Sequence, residues 1–242
     1  EARLRLEKER KKFGLPVDET QTLHMIFKGN PGTGKTMVAR IIANLLYNLG
    51  VIQTNTFVET DRAGLVAGYV GQTAIKTKEV IMKALDGVLF IDEAYSLAQG
   101  GPNDFGREAI DTLVKMMDDY RDRLVVILAG YEEDMELFLD MNAGLRSRFP
   151  KIIEFPDYSP EELMEIAEKF YGEKGFILTN DAKDKLNRIF QKASKMPNFG
   201  NGRYVRNVYE KSLNNQASRL WNEKELTAEM LKTINGEDIE EV

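Results

Sequence analysis

The octet Gly29-Asn30-Pro31-Gly32-Thr33-Gly34-Lys35-Thr36 constrains this chain more than any other stretch. It satisfies G-x-x-x-x-G-K-[ST] in full. A strand-like run over residues 22–28 precedes it, and an amphipathic helical pattern over about 34–48 follows. Glycines let successive backbone N–H groups converge on one point, and a helix N-terminus adds a positive field there. Such a cradle, with Pro31, Gly32, Thr33 and Gly34 as its backbone, suits phosphate oxygens. Lys35 supplies a mobile charge for the β- and γ-phosphates, and the Thr36 hydroxyl suits Mg²⁺. The competing reading is an accidental glycine-rich turn, which would not require a strand before it and a helix after it.

Composition removes several alternatives. The chain has 242 residues, enough for one large domain or two lobes. It has no cysteine, which excludes disulfide scaffolds, thiolate zinc sites, iron–sulfur clusters and cysteine nucleophiles. One histidine, His24, argues against a histidine metal site or a Ser/His/Asp triad, and reads as a packed residue on the entering strand. The net charge of −6 argues against a generic nucleic-acid or anionic-membrane binder. The longest apolar runs, 88–91 and 124–128, are far short of the roughly 18 residues of a membrane span. A cytoplasmic protein without a membrane partner is therefore expected. The chain opens at Glu1 inside a charged helical run over 1–13, without a signal-peptide pattern, and reads as a piece of a longer protein.

Strands at 22–28, 56–59, 88–91, 124–128 and 152–155 alternate with helices at 34–48, 77–85 and 107–120. On the last of these, Ala109, Ile110, Leu113, Val114 and Met117 share a face. The alternation predicts an α/β fold with a parallel sheet flanked by helices. Beyond residue 158 the pattern is helical. Ser159-Pro160-Glu161-Glu162 reads as a helix start, with a capping serine, proline at the first position and acids in the first turn. Helices follow at about 161–173, 180–195, 202–221 and 227–233, and the acidic end at 237–241 reads as solvated. The expected division is 1–158, an α/β nucleotide-binding domain, and 159–242, a small all-helical lobe.

Asp92 and Glu93 end the buried run at 88–91. A carboxylate at a strand tip can hold a Mg²⁺ shell, the role expected of Asp92. Glu93 can orient and polarise an attacking water, which favours a hydrolase over a kinase. No Asn-Lys-x-Asp guanine clamp occurs, and a DEAD-box helicase would need a second α/β lobe. Arg146, Arg148 and Arg203 read either as surface ion-pair partners or as stabilisers of charge on a transferring phosphoryl group.

Together the octet, Leu65-Val66-Ala67-Gly68-Tyr69-Val70-Gly71, Leu89-Phe90-Ile91-Asp92-Glu93-Ala94-Tyr95, Ile127-Leu128-Ala129-Gly130-Tyr131, Arg146-Ser147-Arg148 and Phe155-Pro156-Asp157-Tyr158-Ser159 resemble the CbbX/stage V sporulation protein K family of AAA+ ATPases. The resemblance covers about residues 22–220. It implies an AAA+ module with a helical lid, hydrolysing Mg-ATP in a homo-oligomeric ring, a hexamer by family habit, to remodel or thread a protein substrate. It implies that Arg148, with Arg146 beside it, is an arginine finger for a neighbour's ATP, and that Arg203 meets the γ-phosphate from the lid. Tyr69 and Val70 resemble an aromatic–hydrophobic pore loop, although the residues alone read Tyr69 equally well as a core aromatic. Tyr131 stands where many relatives carry a polar first sensor. The alternative function is an ATP-dependent assembly switch or scaffold with little turnover.

Overall fold

A computed structural model of the chain describes residues 6, 9–10, 12–15, 22–69, 71–100, 104–140 and 143–242. The chain packs as two units, Glu1–Lys28 with Lys35–Glu154, and Gly29–Gly34 with Phe155–Val242.

The sheet comprises β1 (Met25–Gly29), β2 (Phe57–Thr60), β3 (Gly87–Ile91), β4 (Leu124–Gly130) and β5 (Lys151–Phe155), in the order β2-β3-β4-β1-β5. The pairs β2–β3, β3–β4 and β4–β1 are parallel, with Ile91 opposite Leu128 and Lys28 opposite Gly130. Parallel neighbours need crossover connections, and helices supply them. These are α1 (Lys35–Asn48), α2 (Arg62–Leu65), α3 (Gln72–Lys83), α4 (Gly106–Asp119), α5 (Glu132–Asp140) and α6 (Ala143–Arg148). Every residue of β3 and β4 is buried, which is why those runs are apolar without alternation. Leu89, Ile91, Val126 and Leu128 pack with Leu113 and Met117 of α4, and with Phe138, Leu145 and Phe149. The predicted face of α4 is buried at Ala109, Ile110, Leu113 and Met117; Met116 joins it, and Val114 is half-buried.

The helix predicted at 77–85 begins earlier, at Gln72. Its first inward positions are threonines rather than apolar residues. Thr73 Oγ1 accepts the Ala67 N–H at 3.0 Å, and Thr77 Oγ1 donates to the Leu65 carbonyl at 3.1 Å. Both side chains are fully buried, their polarity matched by the loop after α2. The sequence reading also lacks α2, α5, α6 and a 3₁₀ segment, Ala94–Ala98. Each spans nine residues or fewer, too short for a strong period.

The second unit is built on α7 (Pro160–Glu173), α8 (Asn180–Ala193), α9 (Asn201–Leu220) and α10 (Ala228–Lys232). Two short strands, β6 (Ile177–Leu178) and β7 (Thr233–Ile234), pair in parallel. Its core gathers Leu163, Tyr171, Leu186, Phe190, Val205, Val208 and Ile234. Ser159 caps α7 as predicted, in a full capping box with Glu162 and with proline opening the helix. The acidic end departs from the solvated reading. Asp238 is 1% exposed and receives Arg219 Nε and Nη2, both at 2.8 Å, and Ile239 is buried in the core. No helix among the described residues is long and apolar enough to cross a membrane.

Candidate functional site

The loop leaving β1 is shaped by the unit it packs with. Gly32 has φ +73°, and a Cβ there would lie 2.2 Å from the Gly200 carbonyl oxygen and 2.8 Å from the Arg203 nitrogen. Only glycine fits both the angle and the space. Three successive loop carbonyls are held by donors of the same unit. Pro31 O accepts Asn201 Nδ2 at 3.3 Å, Gly32 O accepts the Gly202 N–H at 3.1 Å, and Thr33 O accepts the Tyr158 hydroxyl at 3.1 Å. Thr33, 4% exposed, donates its own hydroxyl to Asn30 O at 2.8 Å. A trans peptide sets its N–H opposite its C=O. With carbonyls 31, 32 and 33 turned into the protein, the N–H groups of Gly32, Thr33 and Gly34 are turned the other way. A row of donors facing outward from a loop is what phosphate oxygens need.

In the first unit, Lys35 and Thr36 open α1, both half-buried. At the tip of β3, Asp92 is pinned at two points. Its N–H donates to Thr60 O at 2.9 Å, and its Oδ1 accepts the Glu93 N–H at 3.0 Å. Glu93 is exposed and has φ +47°, a left-handed backbone that costs a residue with a side chain roughly 1–2 kcal/mol. The adjoining Tyr95 ring lies 5.8 Å from that of Tyr131. Burial, reinforced by the charge of Glu93, pushes the Tyr95 hydroxyl up to about 12, so it stays protonated at neutral pH. Tyr131 is thus half-buried against a neutral aromatic neighbour. For Mg²⁺, the Thr36 hydroxyl and the Asp92 carboxylate are hard oxygens of the right kind. No group of three or more histidine or carboxylate side chains among the described residues could hold a metal by itself. That donor set fits an ion that keeps waters and takes phosphate oxygens.

The three arginines differ. Arg148 is bidentate on Asp118, Nε to Oδ1 at 2.9 Å and Nη2 to Oδ2 at 2.5 Å, and Nη1 donates to Gly144 O at 2.7 Å. The pairing holds the Asp118 carboxyl below its usual range and raises Arg148 further. Arg146 reaches Glu136 at 2.7 Å and Asp140 at 2.8 Å. Arg203 is exposed and makes no ion pair among the described residues. His24 is 2% exposed, its Nδ1 accepting the Val126 N–H at 3.0 Å, as the packed reading expects.

Tyr69 is 74% exposed on the loop between α2 and α3. Lys76 anchors the base of that loop, donating to Ala63 O at 2.6 Å and Val66 O at 3.0 Å. Val70 lies outside the described residues. Sequence reasoning missed Asn30, Asp157, Tyr158 and Asn201, which hold the loop. One signal was available: Asn201 lies between two glycines, and asparagine tolerates the left-handed conformation such a turn uses.

The description of ATPases associated with various cellular activities (AAA) matches residues 25–157, and that of the AAA lid domain matches residues 159–242. Stage V sporulation protein K of Bacillus subtilis (strain 168) is 50% identical over 234 residues, covering 96% of this chain and 72% of that protein. Protein CbbX of Cereibacter sphaeroides is 46% identical over 241 residues, covering 98% and 78%. Among solved structures, the FIGL-1 AAA domain in complex with ADP shares the fold, with a TM-score of 0.64 at 19% identity, covering 96% of this chain and 74% of that one.

Proposed function

The chain belongs to the AAA ATPase family, in the branch of CbbX and stage V sporulation protein K, and hydrolyses ATP; from that premise we propose that it works as a ring of its own copies that remodels or threads a protein substrate. In this reading residues 1–158 form the nucleotide-binding domain and 159–242 the lid. Gly32, Thr33 and Gly34 offer backbone donors to the phosphates, Pro31 shapes the turn that leads into them, and Lys35 offers its charge. Thr36 and Asp92 hold Mg²⁺, and Glu93 polarises the attacking water. Arg203 meets the γ-phosphate, and Arg148 of one subunit serves the ATP of the next. The ring is a hexamer by family inference and works in the cytoplasm, without a membrane or nucleic acid as partner.

Arg148 must exchange Asp118 for a phosphate to act as a finger. Asp118 is exposed and Arg148 half-buried, so solvent partly screens the pair, and a phosphate offers the guanidinium the same bidentate geometry that it would give up.

The observation that carries the remodelling role is the exposure of Tyr69, 74% of whose surface meets solvent. A large aromatic left out of the core, beside Gly68 and Gly71, can grip a passing chain by its ring face without reading sequence. Tyr69→Ala tests this. Basal ATP turnover and the melting temperature should stay close to wild type, while stimulation by an unfolded polypeptide and remodelling are lost. A Tyr69 packed in the core would instead cost about 3–5 kcal/mol on truncation. A variant that melts early and loses basal turnover would therefore overturn the grip.

A further inference from the structure

Asn201 is fully buried on a left-handed backbone, φ +47°, at the start of α9. Both ends of its carboxamide are hydrogen-bonded. Oδ1 accepts the Tyr158 N–H at 2.9 Å. Nδ2 is shared among Asp157 Oδ1 at 2.8 Å, Phe199 O at 3.0 Å and Pro31 O at 3.3 Å. Asp157 carries the connection to the loop a second time: its Oδ1 and Oδ2 accept Asn30 Nδ2 at 3.0 and 2.9 Å. One buried side chain thus ties the loop at residues 30–31, the segment at 157–158 and the first turn of α9 into a single knot.

We propose that Asn201 is a positioning residue for nucleotide binding: through Pro31 O, and through Asp157 and Asn30, it holds the loop so that the N–H groups of Gly32, Thr33 and Gly34 face outward together. Those N–H groups converge only while the carbonyls on the same peptide planes stay turned inward. Asn201 holds the first of those carbonyls directly. It also fixes the turn whose Gly202 N–H holds the second and the segment whose Tyr158 hydroxyl holds the third. Asn201 touches no phosphate in this scheme. It sets how cheaply the loop closes on one, which governs affinity rather than the cleavage step. The inference rests on the reading that residues 29–36 hold the phosphates.

The test is steady-state ATP hydrolysis by Asn201→Gly, Asn30→Ala and the double variant, beside Lys35→Ala. Glycine keeps the left-handed backbone at 201 and removes only the carboxamide. Each single variant should raise KM for ATP about tenfold, the loss expected for a hydrogen bond in a charged network, with kcat within about twofold of wild type. The double variant should be no worse than the poorer single, because both break one knot. An unchanged KM in both singles, a fall in kcat at constant KM, or additive effects would overturn the proposal. If Asn201→Gly does not fold, Asn30→Ala at the half-buried end decides alone: a raised KM supports the knot and a wild-type KM removes it. Lys35→Ala separates the premise, since wild-type nucleotide binding by that variant would refute the phosphate reading itself.

Discussion

Glu93 stands on a left-handed backbone whose cost is the same for glutamine as for glutamate, so Glu93→Gln isolates the carboxylate. The variant should bind ATP as wild type does and turn it over at least about a hundredfold more slowly, the usual order for losing a general base. Fluorescent-nucleotide binding beside phosphate release measures both, and brisk turnover would remove Glu93 from the chemistry. Lys35→Ala should lose binding itself, because it deletes the side-chain charge while leaving the loop's N–H row. His24 gives a prediction in pH. Burial lowers its pKa from 6.5 to about 4, against a smaller opposite pull from Asp118 and with a small further push from Arg148. The folded state therefore favours the neutral ring. Its contribution, up to about 3 kcal/mol, is complete above the unfolded pKa and is lost as pH falls from 6.5 toward 4. Melting temperatures at pH 7.5 and pH 5 should fall more for wild type than for His24→Gln. Equal falls would mean that His24 is not the titrating group.

Elements whose signals are local were legible in the sequence, and α7 shows why. Ser159, Pro160 and Glu162 sit within four residues, and the capping box they form is present. Ser159→Ala should lower stability by about 1 kcal/mol, measured by urea unfolding, with ATP turnover little changed. The turn between β1 and α1, and β3, were legible for the same reason: a contiguous octet and an uninterrupted apolar run. Partners far apart in sequence were not. Arg148 and Asp118 lie 30 positions apart on α6 and α4, and no pattern in either helix points to the other. The knot on Asn201 joins positions up to 170 apart, so the G-N-G turn could suggest its backbone but not what its side chain holds. The first turn of α3 was missed because Thr73, satisfied by a loop, occupies a position where periodicity looks for an apolar residue.

In a ring whose subunits complete one another, an arginine lost from one copy disables the site of the next. Arg148→Ala should bind ATP and fail to hydrolyse it, as Glu93→Gln does. Mixed together, the two dead proteins should regain part of the wild-type rate, because some junctions pair an intact Glu93 with an intact Arg148. No recovery at any mixing ratio, with mixed assembly verified by size, would place Arg148 in its own subunit's site or in structure alone. The helical unit carries a further consequence. Helix α9 spans 20 residues, about 30 Å, from the turn that bonds the loop at residues 31–32 to Trp221 at its far end. Trp221 is the chain's single tryptophan and is 85% exposed. A rod fixed under the loop and tipped by a lone indole in water is a built-in optical pointer. A tilt of about 5° at its base would swing the tip by roughly 2.5 Å over that length, so a small movement at the loop becomes a larger displacement of the indole.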